Sequence, residues 1–307
     1  MKRQRIIYYI SALLILAVMI GTAEITGEKE IIFPEITAIA VGALIAPKQS
    51  WNFSPLRIFI TVSAMAICGV LIVRYIPLPK YFTLPIGFAV SILSLLISKC
   101  GFVPQISACV LPIVLSTNSF IYPVSVVIMT ALILLVQFLL FKLGRYQYRK
   151  YEPVPITKAR VIYFAKQILT VSLIFLLPAI TGQMFFVVPP LIVGYLEMCE
   201  KGSRVGENRK KAVLLIFFAA TFGTVSRMVL AEYIGIPLTI SAVFACILIF
   251  ILISKTKLYF PPCAAICTLP MLLSAENLWL YPIEVTAGFC VMCLISLLYN
   301  KPQRAEN

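Results

Sequence analysis

The sequence predicts an all-α, polytopic membrane protein with about 12 hydrophobic segments, arranged as two parallel six-segment repeats that contain short, proline-interrupted helices. Three observations lead there. Hydrophobic residues make up 61% of the 307 positions, charged residues 12%, and mean hydropathy is +1.00, far above the roughly 45–50% apolar content of soluble domains. The apolar runs last about 15–22 residues between short charged links, which suits spanning helices and excludes a barrel of alternating strands of about ten residues. The third observation is a duplication: Phe102-Val103-Pro104-Gln105-Ile106-Ser107-Ala108-Cys109-Val110-Leu111-Pro112 returns as Phe260-Pro261-Pro262-Cys263-Ala264-Ala265-Ile266-Cys267-Thr268-Leu269-Pro270.

Taken in order, the first segment, near 6–23, follows Met1-Lys2-Arg3-Gln4-Arg5. It is read as a membrane helix and not a signal peptide, because no small-residue cleavage site closes it. Segments near 31–46, 56–76, 81–98, 102–116 and 121–141 complete the first half, and those near 161–180, 184–199, 211–231, 236–254, 259–274 and 279–299 form the second. The second, fifth, eighth and eleventh are short: about 16 residues rise about 24 Å, less than a hydrocarbon core of about 30 Å. The domain reading is a first repeat over 1–145, a basic cytoplasmic linker over 146–160 with Pro153 and Pro155, and a second, more divergent repeat over 161–307. Phe33-Pro34 answers Val188-Pro189, Arg57 with Gly69 answers Lys211 with Gly223, Ser98-Lys99 answers Ser254-Lys255, and Tyr122-Pro123 answers Tyr281-Pro282. Six segments per half is an even number, so both copies enter the membrane in the same sense, related by an axis along its normal.

The net charge of +14 follows the same scheme. With every segment crossing and the N-terminus in the cytoplasm, 22 of the 26 basic residues fall inside, leaving Lys29, Arg74, Lys80 and Arg227 as exceptions. That asymmetry predicts a multi-pass protein of the cell (cytoplasmic) membrane with both termini cytoplasmic. The charge is orientation information, so the lipid bilayer is the expected partner and nucleic acid is not. The sequence leaves homo-oligomerisation open.

The proline-bracketed runs are the leading site candidates. Proline removes an N–H and blocks the preceding turn, and lipid cannot satisfy the carbonyls so freed. Such segments are therefore buried in protein or line a cavity, and transporters build binding sites at this kind of paired break. The candidate substrate-binding residues are Pro34, Glu35 and Thr37 in the second segment, Pro104, Gln105 and Ser107 in the fifth, Pro189 and Pro190 in the eighth, and Pro261, Pro262 and Cys263 in the eleventh. Helix starts gathered there would favour an anion. The competing explanation is close helix packing through small residues.

Ionisable groups at membrane depth are candidates by their cost. Glu35 and Glu284 are candidates for a coupled proton, and Arg227 for attracting an anion or pairing with Glu284; Glu197 lies late in the eighth segment. The alternative is that Glu35 and Arg227 snorkel to the outer interface and Glu197 to the inner one. Arg57 and Lys211 mark the cytoplasmic face, while Tyr8, Tyr9, Trp51, Tyr122, Trp279 and Tyr281, near segment ends, read as interfacial anchors. There is no histidine and no aspartate. A zinc site, a Ser-His-Asp relay and a P-loop therefore lack their residues, and no catalytic residue, metal or cofactor is expected. The nine cysteines lie mostly in apolar runs, where cysteine acts as a small hydrophobe.

Ala38 to Leu56, a glycine-alanine segment ending on Ser54-Pro55-Leu56, is similar to a segment of the HPP family of integral membrane proteins. That family's signature His-Pro-Pro with small residues after it is matched by Pro261-Pro262 with Ala264 and Ala265, and more weakly by Pro104 with Ser107 and Ala108; Phe260 and Val103 stand at the histidine position. The chain thus resembles two tandem HPP-like copies, and the resemblance implies a transporter of a small inorganic anion such as nitrite. The expectation is a secondary transporter or facilitator and not an enzyme, with a non-transporting assembly or interaction protein as the alternative. A third reading, a lipid-acting enzyme, would need clustered carboxylates, and the twelve glutamates are scattered.

Overall fold

A computed structural model describes residues 2–46, 51–200 and 202–299, with side chains from Ile6 onward. Lys48, Lys201, Lys301 and Arg304 of the basic set, and the C-terminus, lie outside the described residues. Every regular element among these is helical. The first half runs α1 (Lys2–Thr26), α2 (Glu35–Ala40, continued by a wider turn over Val41–Ile45), α3 (Pro55–Tyr75), α4 (Lys80–Ser98), α5 (Gln105–Leu115) and α6 (Ile121–Lys142). The second runs α7 (Lys158–Thr181), α8 (Pro189–Cys199), a single turn α9 (Arg204–Glu207), α10 (Arg209–Val225, continued as a π-helix over Ser226–Tyr233), α11 (Leu238–Thr256), α12 (Pro262–Thr268, tightening over Leu269–Met271) and α13 (Tyr281–Ser296).

Eight of these, α1, α3, α4, α6, α7, α10 with its extension, α11 and α13 with the turn before it, are long and apolar enough to cross a membrane. The helical membrane class therefore holds. The short helices α2, α5, α8 and α12 begin at prolines and are almost wholly buried. The long ones form a shell around them with large apolar side chains outward, among them Leu14, Leu135, Leu177 and Leu294, each more than half exposed. Polar residues sit inside: Glu35, Gln105, Ser107 and Thr268 are at most 1% exposed. A shell greasier than its centre is at home in lipid and not in water.

Packing runs crosswise. α1 lies on α11 and α4 on α7, while α2 packs on α12 and α5 on α8, so the core is shared between the first and second halves of the chain. α4 and α11 are both 19 residues long, start behind Pro79 and Pro237, and end on Lys99 and Lys257 in the left-handed conformation, at φ 52° and 55°. Lys99 and Lys257 thus hold the same place at the ends of these two helices, while Lys255 lies in the last turn of α11.

The proline breaks are repaired in matching ways. Pro112 has no N–H to offer the carbonyl of Ala108 four residues back, and the Tyr122 hydroxyl donates to that oxygen at 3.0 Å. Pro270 leaves the Ile266 carbonyl in the same state, and Tyr281 donates to it at 2.9 Å. Both tyrosines are buried, at 3% and 0% exposure. They are carbonyl caps, not interfacial anchors, because a proline-freed carbonyl away from water needs a donor. Neighbouring helices come close at these breaks: a Cβ on Gly69 of α3 would sit 2.3 Å from the Cys109 oxygen, and one on Gly223 of α10 2.3 Å from the Cys267 oxygen.

Hydrogen bonds tie the helix ends into two layers. In one, Tyr8 donates to the Arg145 carbonyl, Arg57 to that of Ser98, and Arg160 to that of Val154; Arg209 bonds the Ser296 hydroxyl and Tyr299 the Thr170 hydroxyl. In the other, Lys80 donates to the Val114 carbonyl, Ser125 to that of Ile31, and Arg74 lies 5.3 Å over the Phe120 ring.

Candidate functional site

The four short helices meet. Glu35 and Ala38 of α2, Pro104 leading into α5, Pro190 and Val193 of α8, and Pro262 and Ala265 of α12 line one cleft together with Trp51. It holds about 190 Å³ of space between atoms, too narrow for a water molecule. Proline suits the first turn of a helix, whose N–H groups lack partners anyway, so each short helix turns its start or its proline-led flank toward this point.

Among the described residues Glu35 is the cleft's only acidic wall residue, 1% exposed. Neither carboxyl oxygen has a hydrogen-bond partner within the described residues, and no lysine or arginine pairs with it. The Ser107 hydroxyl lies against this carboxyl but outside hydrogen-bond geometry, and it too is unpartnered. Tyr122 and Tyr281 are close on either flank, with their hydroxyls already committed to the carbonyls of α5 and α12. Thr37 accepts a hydrogen bond from Thr268 at 3.1 Å, which ties α2 to α12.

Other predicted residues lie beside the cleft or away from it. Pro34, Pro189 and Pro261 are one residue before the lining positions. Gln105 turns to α4, where its amide donates to the Ser91 carbonyl at 3.3 Å, and its own oxygen has no partner among the described residues. Cys263 is fully buried next to the lining Pro262. Glu284 is in the first turn of α13 and partly exposed, not at the centre.

Arg227 does not pair with Glu284. It bonds Glu232 at 2.6 Å, inside the π-helical stretch Ser226–Tyr233. A π-helix links residues five apart along one face, and an α-helical period hides that partner.

Two further residues belong to the site. Trp51, read from the sequence as an anchor, is 4% exposed and lines the cleft. Its indole N–H donates to Glu197 of α8 at 2.9 Å. Its ring lies where a Cβ on Gly42 would fall, 2.3 Å from the nearest ring carbon, and edge-on to Phe102 at 5.3 Å. Glu197 lies near Cys263. The signal in the sequence was a glycine in the second segment with a tryptophan after it, and a carboxylate in the last turn of the eighth.

The chemistry available is that of a carboxyl group and a hydroxyl enclosed by protein. No described cluster of three or more His, Cys, Asp or Glu side chains is placed to hold a metal ion. Comparisons with protein-family models, with curated proteins and with solved structures find no match to this chain.

Proposed function

We propose that the chain is an integral membrane transporter or facilitator of a small solute, which passes through the cleft between the four short helices. The observation that carries this reading is the meeting of Glu35, Pro104, Pro190 and Pro262, from four separate segments, around a carboxyl with no partner among the described residues. Packing needs no such group there, and a buried unpaired carboxyl is costly enough to call for a use.

The two-repeat scheme of twelve segments is supported by the matched tyrosine caps, the matched glycine contacts and the crosswise pairing. Exchanging the halves maps α1 on α11 to α7 on α4, as an axis along the membrane normal requires. Arg57, Arg145, Arg160 and Arg209 in one layer, with Arg74 and Lys80 in the other, support a cytoplasmic placement of both termini in the cell membrane.

The HPP resemblance supplies the solute class, a small inorganic anion such as nitrite. A bare anion and an ionised Glu35 repel each other, and no basic side chain among the described residues lines the cleft to offset this. The anion therefore crosses with Glu35 protonated, so that anion and proton travel together. Ser107 is the hydroxyl that meets the solute beside it. Flux into proteoliposomes across a panel of small anions and weak organic acids tests this: uptake of at least one above empty vesicles, driven by an acid-outside gradient, is expected. No flux for any solute with folded protein present removes the transport reading.

One observation favours the second reading, a non-transporting assembly or interaction protein. The cleft as it stands admits no water, which suits a packed joint as well as a closed transporter. Failure of the flux panel together with stable association of the purified chain with another membrane protein supports that reading.

A further inference from the structure

We propose that Trp51 closes the cleft toward the layer that carries Arg57 and Arg160, and that Glu197 holds it closed. The inference extends the transport reading by assigning one of the two barriers such a site needs. Trp51 is the one aromatic wall of the cleft, and the other lining residues are Glu35, three prolines, two alanines and a valine. It comes from the first half of the chain, while its hydrogen-bond acceptor, Glu197, comes from the second.

The residue after it belongs to the end layer. Asn52 donates to the Glu152 carbonyl, and its own carbonyl accepts from the Gly101 N–H at 3.0 Å. Trp51 thus lies between that layer and the cleft. Toward the other layer the cleft is flanked by Tyr122 and Tyr281, whose hydroxyls hold the carbonyls of their own halves' short helices.

The indole is held by one polar contact and one shape match. The N–H···carboxyl hydrogen bond to Glu197 is charge-assisted when Glu197 is ionised. The shape match is Gly42, because only a residue without a Cβ leaves room for the ring. Swinging the ring off Gly42 breaks the bond to Glu197 and opens the cleft at Pro262 and the face of Glu35, next to Cys263. Glu197 makes no contact with the solute in this scheme; it is a positioning residue for Trp51.

Thiol labelling at Cys263 tests the barrier without any transport assay. Cys263 is fully buried near Glu197, and Cys109, in α5 behind Gly87, is an equally buried control on the far side of that helix. The full-length protein in detergent is exposed to a bulky polar maleimide, and each cysteine is quantified by mass spectrometry. In the Trp51→Ala variant Cys263 is expected to label while Cys109 stays silent. Glu197→Ala should raise the Cys263 rate by about tenfold, the factor for one lost charge-assisted hydrogen bond. Glu197→Gln, whose amide oxygen still accepts from the indole but without the charge, should fall between wild type and Glu197→Ala.

Cys263 labelling no faster than Cys109 in both alanine variants overturns the proposal. Equal labelling of both cysteines in Trp51→Ala signals loss of fold, and Glu197→Ala then decides. A barrier confirmed by labelling in a protein without flux leaves the closure standing and refutes transport, so the two failures are separable.

Discussion

Replacing Tyr122 by phenylalanine removes one oxygen and keeps the ring that packs edge-on to Phe33. The hydroxyl bonds the Ala108 carbonyl at 3.0 Å, and both residues are buried, at 3% and 0% exposure. Without it, the carbonyl that Pro112 leaves free has neither an N–H nor water. An unsatisfied buried acceptor costs about 1–3 kcal/mol, and the enclosed position places Tyr122→Phe in the upper part of that range. Denaturant titration of the detergent-solubilised protein reads the loss. The decisive comparison is a cycle with Pro112→Ala, which supplies the missing N–H. In that background Tyr122→Phe should cost under about 0.5 kcal/mol, because the alanine N–H then covers the Ala108 oxygen. Equal cost in both backgrounds refutes the capping role and with it the explanation of why tyrosines follow these proline breaks.

Tyr281→Phe should behave in the same way through Pro270, with coupling of at least about 1 kcal/mol in the corresponding cycle. Gly69→Ala and Gly223→Ala place a methyl 2.3 Å from a backbone oxygen and should each cost about 1–3 kcal/mol by forcing helices apart. Gly21→Ala, with 3.4 Å to the Thr239 hydroxyl, is the control and should be near neutral in the same titration. Glu232→Gln breaks the pair with Arg227; with Glu232 42% exposed, the loss should be under about 1 kcal/mol and flux unchanged. A collapse of flux in Glu232→Gln would return Arg227 to the solute path.

The class of the protein and the positions of its helices were legible because lipid imposes simple demands: length, apolarity and a charge bias between the two faces. The short helices were legible because a run of small apolar residues led or bracketed by proline is hard to place otherwise, and Pro104, Pro190 and Pro262 line one cleft. Partners were not legible. A tyrosine beside a proline at a segment end fits a headgroup interface as well as a carbonyl 14 or 15 residues back, and composition does not choose. For Arg227 the sequence offered an anion or Glu284; its partner is Glu232, which a period of 3.6 puts on another face of the helix and the π-helical stretch moves back. Trp51 near a segment end looked like an anchor. Only the space left at Gly42 shows why it turns inward, and that match depends on two segments folding back on each other.

Proton and solute movement measured together in proteoliposomes, wild type against Glu35→Gln, tests most directly whether the gathered short helices serve a working carboxyl. The glutamine keeps the shape and cannot release a proton. Wild-type vesicles should take up a proton with each small anion, and the Glu35→Gln protein, equally stable and no longer repelling the anion, should take up anion without the proton and without the pH dependence. Undiminished uptake with unchanged pH dependence in the variant would contradict the role assigned to Glu35.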